Sequence, residues 1–421
     1  MWLRSLLVAV VISVGAGCDA YVSGDNSQGQ LGLGTAGNAG YLSAAIPWSM
    51  LEAGPVTTCG INVAKELWCW GDNSRGQTGN GSVGGNQVTP NRVGTATDWS
   101  RVSPGARHTC GIRAGQLWCW GSNAYGQIGN NASNTAVYSS PQRIGTASDW
   151  KSVSLGQYHS CGIRGAGNLY CWGLNTYGQV GNGSNVNAFL PQLVSLGPWA
   201  SVDAGESHTC AIRKVQSGAL LCWGSNEHGE LGTTYVPVGG LLTKPLFGVP
   251  LGDPANDGLG NSGVRTWSSV SAGTYLSCAI LKVIAVDPDD DIPESRTLWC
   301  WGNNDYQQIP EEPAGVDVLQ PALVGKRAYI QGQYAYRIQA MYSSVSVGGE
   351  HMCTVNWGQI NVISSLSTLE TVTGAATGYA IPDCFGSNDN NQLGVGNLAK
   401  VVSVSAGFRF STALIAIPPP P

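Results

Sequence analysis

The chain has 421 residues, with 21 Lys and Arg against 26 Asp and Glu, a formal net charge of −5 and only 11% charged residues. No basic run and no positive balance means no electrostatic footprint for DNA or for an anionic membrane surface. Glycine is abundant at 59 residues, beside 15 Trp and 15 Tyr, a composition suited to many short strands joined by tight turns.

The first twenty residues have their own character. Arg4 precedes a short apolar run, Leu6 to Val14, and small residues follow at Gly15, Ala16 and Gly17. This is the pattern of a secretory signal peptide over residues 1–20, too short to span a bilayer; the alternative is a buried first strand. Two processing positions compete. Val14-Gly-Ala-Gly-Cys18 is close to a bacterial lipobox with Cys18 as the lipidated residue, although glycine stands where Leu or Val is usual. A signal peptidase cut after Ala20, with small Cys18 three places before it, fits equally well.

From Trp48 onward a unit recurs. Trp99-Ser-Arg-Val-Ser-Pro-Gly105-Ala-Arg-His108-Thr-Cys110-Gly-Ile-Arg113 leads to Leu117-Trp-Cys119-Trp-Gly121-Ser-Asn123-Ala-Tyr-Gly126-Gln127-Ile-Gly129. Similar copies start at Trp48, Trp150 and Trp199, and looser ones at Trp267 and near Tyr342. Their first cysteines, Cys59, Cys110, Cys161 and Cys210, fall about 50 residues apart, a period that reads as one propeller blade. Each unit supplies an apolar strand, a turn at glycine, a strand through His-Thr-Cys-Gly-Ile, a hairpin and a strand Leu-Trp-Cys-Trp-Gly. The Asn-x-x-Gly-Gln-x-Gly segment then turns the chain.

This unit resembles the regulator of chromosome condensation repeat, whose hallmark is Trp-Gly-x-Asn-x-x-Gly-Gln-Leu-Gly, and the resemblance covers nearly all of the chain past its leader. It implies an all-β fold, a seven-bladed β-propeller forming a single domain over residues 21–417. The ends give the same number. Six full copies lie near 48–94, 99–145, 150–195, 199–250, 267–324 and 342–397. Residues 21–34 are the back half of a repeat and 402–417 a front half, so the two ends share a closing blade and the ring has no exposed sheet edge. Residues 418–421 are a short tail.

Cys18 aside, the twelve cysteines form six pairs, one per full copy: Cys59 with Cys69, Cys110 with Cys119, Cys161 with Cys171, Cys210 with Cys222, Cys278 with Cys300, and Cys353 with Cys384. A two-residue turn at Ala114-Gly115 pairs Arg113 with Gln116 and sets Cys110 opposite Cys119 at a non-hydrogen-bonded position, with Cα atoms about 4.5 Å apart. That lies inside the disulfide range of roughly 4.4–6.8 Å, and each bridge is worth on the order of 2–3 kcal/mol. Strand-paired cysteines behind a signal peptide point to an oxidising compartment, hence a secreted or cell-envelope protein. One pair per blade, spread around a ring, does not converge on a metal such as zinc.

The recurring His108, His159, His208 and His351 occupy one repeat position and are dispersed by the pseudo-symmetry, so they read as structural groups bonded to a neighbouring blade. Arg113, Arg164 and Arg213 read the same way. No nucleophile elbow, P-loop or His-Glu-x-x-His motif occurs, and neither a catalytic residue nor a cofactor is expected. Asp287-Pro-Asp-Asp-Asp291 is an acidic cluster that matches no calcium loop. Asn80-Gly-Ser, Asn131-Ala-Ser and Asn182-Gly-Ser are glycosylation sequons at equivalent places, and also ordinary turns.

Insertions set the later units apart. The pair Cys278 and Cys300 and the pair Cys353 and Cys384 enclose far more chain than the early pairs, and 233–264 and 306–341 lengthen inter-blade connections. These segments carry Tyr235, Leu241, Leu242, Phe247, Tyr306, Tyr329, Tyr334 and Tyr336. Tyr-rich loops on a rigid scaffold make adhesive surfaces at low entropy cost, so blades five to seven are expected to present the binding face. The function expected is a monomeric extracellular or envelope-anchored scaffold that binds a protein or surface glycan, with no nucleic acid and with membrane contact only through a lipid on Cys18. The resemblance adds that secreted relatives include a bacterial inhibitor capping a β-lactamase with one propeller face. A secreted hydrolase or lyase is the alternative, and guanine-nucleotide exchange follows only by analogy with the nuclear founder of the family.

Overall fold

The structure is a computed structural model. It describes residues 18–415 apart from 35–38, 43–45, 133–135, 215–217, 246–263, 285–293, 325–326, 332–333, 364–370, 374–380, 388 and 390–400, and the described residues contain no helix. The acidic cluster at 287–291 and Phe247 therefore lie outside the described residues.

Each repeat folds into one antiparallel sheet. In blade 2 the strands Trp99–Pro104, His108–Arg113, Gln116–Ser122 and Val137–Arg143 lie side by side in that order, from the channel outward. Blades 1, 3, 4 and 5 repeat the plan with innermost strands Trp48–Ala53, Trp150–Leu155, Trp199–Ala204 and Val264–Ala272. Seven such sheets make the ring. Blade 7 joins both ends of the chain: Val401–Ala406 and Phe410–Ile415 are continued outward by Asp19–Gly24 and Ala39–Tyr41, with Tyr21 opposite Ala413. The shared closing blade is thus present, and its N-terminal strand starts at Asp19, with Ala20 1% exposed. Just before it, the Cys18 N–H donates to the Trp48 carbonyl at 2.8 Å.

Blade 6 departs from the plan. Its strands Tyr334–Val347 and His351–Ile363 run far past the disulfide, and Arg327–Gln331 and Thr371–Thr373 pair with their distal ends. The segment carrying Tyr329, Tyr334 and Tyr336 is strand, not loop. Its sequence shows why: Tyr334, Tyr336, Ile338, Ala340 and Tyr342 occupy every second position, the period of a strand.

All six expected bridges are formed, each between directly opposed cysteines. Cys59 is bonded to Cys69, Cys110 to Cys119, Cys161 to Cys171, Cys210 to Cys222, Cys278 to Cys300 and Cys353 to Cys384. The Cα atoms of each pair are 4.1 Å apart. That is closer than the roughly 4.5 Å of an unlinked non-hydrogen-bonded pair. The long insertions enclosed by the last two pairs leave this register unchanged: Cys278 still faces Cys300 and Cys353 still faces Cys384. The blade 2 hairpin has the register read from the sequence, Arg113 opposite Gln116, with Ala114 at φ 46° and Gly115 at φ 71°, as a type I′ turn requires.

The blades are joined through one recurring seam. The indole N–H of Trp172 donates to the main-chain carbonyl of Gln127 in the preceding blade at 2.8 Å, and the Ser160 hydroxyl donates to the same oxygen at 2.9 Å. Trp120, Trp223 and Trp301 repeat this onto Gln77, Gln179 and Glu230. Gly129 has φ 81°, and a Cβ there would lie 2.7 Å from the Trp172 Nε1; the second glycine of the turn is needed for the indole to approach.

His108 Nε2 lies 2.8 Å from Ser160 Oγ, His159 Nε2 2.9 Å from Thr209 Oγ1, His208 Nε2 2.9 Å from Ser277 Oγ and His351 Nε2 2.7 Å from Ser411 Oγ, each in the next blade. The histidines are structural, as their repeat position implied. Burial pushes His108 and His159 down to about 3 and His208 to about 4, so the rings stay neutral at physiological pH. Arg113 and Arg164 lie over Trp99 and Trp150 while pairing with Asp98 at 2.9 Å and Asp149 at 3.3 Å; Arg213 lies over Trp199.

Replacing both Cys161 and Cys171 by alanine should lower the unfolding free energy by about 2–3 kcal/mol, read as a lower denaturant midpoint under oxidising conditions. Disulfide mapping of the native protein should return these six pairs and none between blades.

Candidate functional site

Seven inner strands surround a channel with a cavity of about 670 Å³ open on one face. One side chain per blade forms a ring around it: Glu52, Ser103, Ser154, Asp203, Ser271, Ser346 and Ser405. Six of them accept a hydrogen bond from the backbone N–H that follows the ring position in the next blade. Ser103 receives Leu155 N–H at 3.2 Å, Ser154 receives Ala204 at 3.0 Å and Asp203 receives Ala272 at 2.8 Å. Ser271 receives Val347 at 3.0 Å, Ser346 receives Ala406 at 3.0 Å and Ser405 receives Ala53 at 2.9 Å.

The seventh seam is broken by one residue. The position that should donate to Glu52 is Pro104, which has no N–H. Glu52 keeps the Ser405 hydroxyl at 3.3 Å. Its carboxyl is pushed up to about 7, by burial first and then by Asp203, against the pull of Ser405 and Arg101. Asp203 is also raised by burial, held back by bonds from Ser154, Ala272, Ser271 and Ala204.

Two kinds of turn form the mouth. The loops between first and second strands bring Arg107, Tyr158, Ser207, Tyr275, Glu350 and Arg409 to it. The Asn-x-x-Gly-Gln turns bring Arg75, Tyr125, Tyr177, His228 and Tyr306. Tyr125 and Tyr158 meet edge to face at 5.1 Å, with Arg107 5.8 Å from the Tyr158 ring centre. The His228 ring lies 4.7 Å from Tyr275, and its Nδ1 is 3.1 Å from Asp317 Oδ2. Arg409 pairs with Glu350 at 2.7 Å and lies over Phe408 at 5.4 Å. The turns are held from inside: the Asn175 side-chain oxygen accepts the Val180 N–H at 2.9 Å, and its Nδ2 donates to the Ser184 carbonyl at 2.9 Å.

The residues singled out in the sequence do not gather in one place. Tyr306 stands on the mouth, 45% exposed. Tyr235 is exposed on the way to the outermost strand of blade 4. Tyr329 and Tyr336 are cross-strand neighbours in the blade 6 extension, with Tyr334 beginning its inner strand. The antiparallel order puts that extension on the face opposite the mouth, because connections between second and third strands, and from one blade to the next, lie there. The aromatic residues at the mouth, Tyr125, Tyr158, Tyr177, Tyr275 and Phe408, were missed. Their signal is variation inside constancy: they occupy the third place of Asn-x-x-Gly-Gln and the loop after the first strand, where the copies differ while their flanks repeat.

The sequons also need correction. Asn73, Asn123 and Asn175 donate to Asn80, Asn130 and Asn182 at 3.4, 3.2 and 3.2 Å. The residue equivalent to Asn80 and Asn182 is thus Asn130, and Asn131 sits one place later at φ 63°.

Comparison with known proteins agrees with this architecture. The family model for the regulator of chromosome condensation (RCC1) repeat matches residues 66–112, 114–163 and 166–212, and a second model of that repeat matches 99–127, 150–179 and 199–230. The human E3 ubiquitin-protein ligase HERC2 is 25% identical over 181 residues, 41% of this chain and 3% of that protein. Human HERC4, a probable E3 ubiquitin-protein ligase, is 34% identical over 106 residues, 23% of this chain and 10% of that protein. The chain thus spans only a small part of the curated relatives it matches. Among solved structures, yeast RCC1 (Prp20) bound to Kap60 superposes with a TM-score of 0.67 at 17% identity, covering 96% of this chain and 90% of that one. Human WBSCR16 gives 0.66 at 17% identity, with 95% and 99% covered. At these identities the likeness shows the fold.

The Pro104 seam gives a pH dependence. Between about pH 4.5 and 7 the folded chain holds a proton on Glu52 that the unfolded chain has released, so stability falls as pH rises through that window and levels off above it. Glu230, likewise pushed up to about 7 by burial, adds a fall of the same sign. Glu52→Gln should remove its share of the slope in unfolding measurements from about pH 4 to 8. Pro104→Ala, which restores a donor, should lower the Glu52 pKa in a carboxyl NMR titration.

Proposed function

We propose that this chain, a seven-bladed propeller of the regulator of chromosome condensation repeat type, is an extracellular or envelope-held scaffold whose partner protein seats on the channel mouth. One observation carries the reading: aromatic and charged side chains that differ from blade to blade stand on turns whose backbones are fixed by identical internal hydrogen bonds. Rigid aromatic groups of this kind contribute large contact area at small entropy cost. Six strand-bracing disulfides support an oxidising address.

Processing at Cys18 agrees better with the fold than a cut after Ala20, which would remove the first two residues of the strand Asp19–Gly24, buried Ala20 among them. N-terminal analysis of the protein made in its own host should find residue 18 first. A chain beginning at Tyr21 would refute this.

A second reading, a secreted hydrolase or lyase, has Glu52 and Asp203 in its favour, two carboxyls with raised pKa facing an open cavity. The readings separate by substitution. Replacing Tyr125 and Tyr158 together by alanine should abolish capture of the partner from the host's secreted and envelope proteins, leaving thermal stability within a few degrees of the parent. Glu52→Gln should leave capture intact. If capture survives loss of both tyrosines, the mouth is not the docking face.

A further inference from the structure

Three times the molecule builds the same sandwich of carboxylate, arginine and aromatic ring. Asp98 holds Arg113 over Trp99 and Trp118; Asp149 holds Arg164 over Trp150 and Tyr170; Glu350 holds Arg409 over Phe408. A guanidinium satisfies both neighbours at once, because its plane stacks on the ring while its edge donates to the carboxylate.

At the mouth between blades 3 and 5 two of the three parts are present. Glu206 stands on the inner loop of blade 4, its backbone N–H donating to the Gly273 carbonyl at 3.0 Å. Glu227 is exposed on the following turn of the same blade. Tyr177, 42% exposed, is the blade 3 counterpart of Tyr125, whose ring meets the inner loop of the following blade, and Tyr275 stands on the blade 5 inner loop against His228. The blade 4 turn and inner loop both reach the loop that carries Tyr275, the His228 ring next to Glu227 lying 4.7 Å from Tyr275 and Glu206 bonded to Gly273. Glu206 is raised by burial and then by Glu227, and Tyr275 is raised by burial and then by Glu206, Glu227 and Glu230, with Tyr177 contributing as well. Among the described residues, no Lys or Arg pairs with Glu206 or Glu227. The one basic ring in the sector, His228, is engaged by Asp317. The sector borders the open cavity, whose wall includes Glu206 and Thr274.

We propose that this sector, Glu206 and Glu227 between Tyr177 and Tyr275, receives an arginine side chain presented by the partner protein. The proposal rests on the mouth being the docking face, and adds to it the chemistry of one contact. Charge complementarity of this kind sets register and encounter rate, and a seated arginine between tyrosines is a common energetic anchor of interfaces.

The test uses the whole disulfide-bonded protein with 13C-labelled tyrosine and the model ligand N-acetyl-argininamide, with its neutral isostere N-acetyl-citrullinamide as control. Ring signals of Tyr177 and Tyr275 should shift saturably with the arginine probe and stay in place with citrulline, while Tyr125 and Tyr158 are unmoved. The double variant E206Q/E227Q, isosteric at one half-buried and one exposed position, should weaken the response by about tenfold or more. Equal shifts from both probes, no saturable shift, or an unaltered response in the double variant would overturn the proposal. Capture of the protein partner separates this from the mouth reading. If removing Tyr125 and Tyr158 abolishes capture and E206Q/E227Q leaves it unchanged, the arginine contact is refuted and the docking face stands.

Discussion

At five blade junctions a single carbonyl oxygen, that of Gln30, Gln77, Gln127, Gln179 or Glu230 in the turn after the third strand, fastens one blade to the next. It is buried, and it takes one hydrogen bond from an indole and one from a hydroxyl of the next blade, with a histidine closing on that hydroxyl. An unmet carbonyl at such depth would cost on the order of 1–3 kcal/mol, so the turn, the tryptophan and the Ser or Thr are mutually obligatory. Where the pattern lapses, the chain shows it. Blade 6 has Met352 and Phe385 where blades 1 to 5 have Ser or Thr and Trp, and neither carries a donor; blade 7 has Ser23 in the Trp place. At the place of those donors sulfur packs against blade 5, Met352 Sδ lying 3.3 Å from Cys278 Sγ and 3.4 Å from Cys300 Sγ.

Ring closure uses the same interaction. The N-terminal piece contributes the Gln30 carbonyl, which accepts from Thr58 at 2.7 Å and Trp70 at 2.9 Å in blade 1. The two chain ends are therefore fastened on both sides of blade 7, by strand pairing within it and by the seam to blade 1. A frame fixed at these joints leaves its outward turns free to vary, and residues such as Tyr125, Tyr177 and His228 vary at one position without disturbing the fold. The channel ring shows the opposite situation, where Pro104 removes one donor and the cost falls on Glu52.

Much of this was legible in the sequence. The blade number, the shared closing blade, the cysteine register and the structural part of the histidines follow from a repeat whose period and turn chemistry leave little choice. The register held even for Cys300 and Cys384, which lie far down the chain from their partners, because each keeps its place beside the Trp-Gly or Phe-Gly that ends the third strand. The mouth was not legible, because a reading by insertions looks for added chain, whereas Tyr158 and Tyr275 sit in loops of unchanged length. The connection 306–341, expected as loop from its added length, forms strand at Arg327–Gln331 and from Tyr334 onward, where Tyr334, Tyr336 and Ile338 stand two apart. The broken seam at Pro104 needs three-dimensional pairing between blades, since nothing local links Glu52 to a residue in the next repeat.

The strand Asp19–Gly24 runs toward the mouth, so its first residue lies at the far side of the disc, where the extended hairpins of blades 5 and 6 also project. A tether at residue 18 would make the propeller a pedestal. The face nearest the bilayer would carry the long hairpins as props, and the tyrosine crown would point outward to whatever the surroundings deliver.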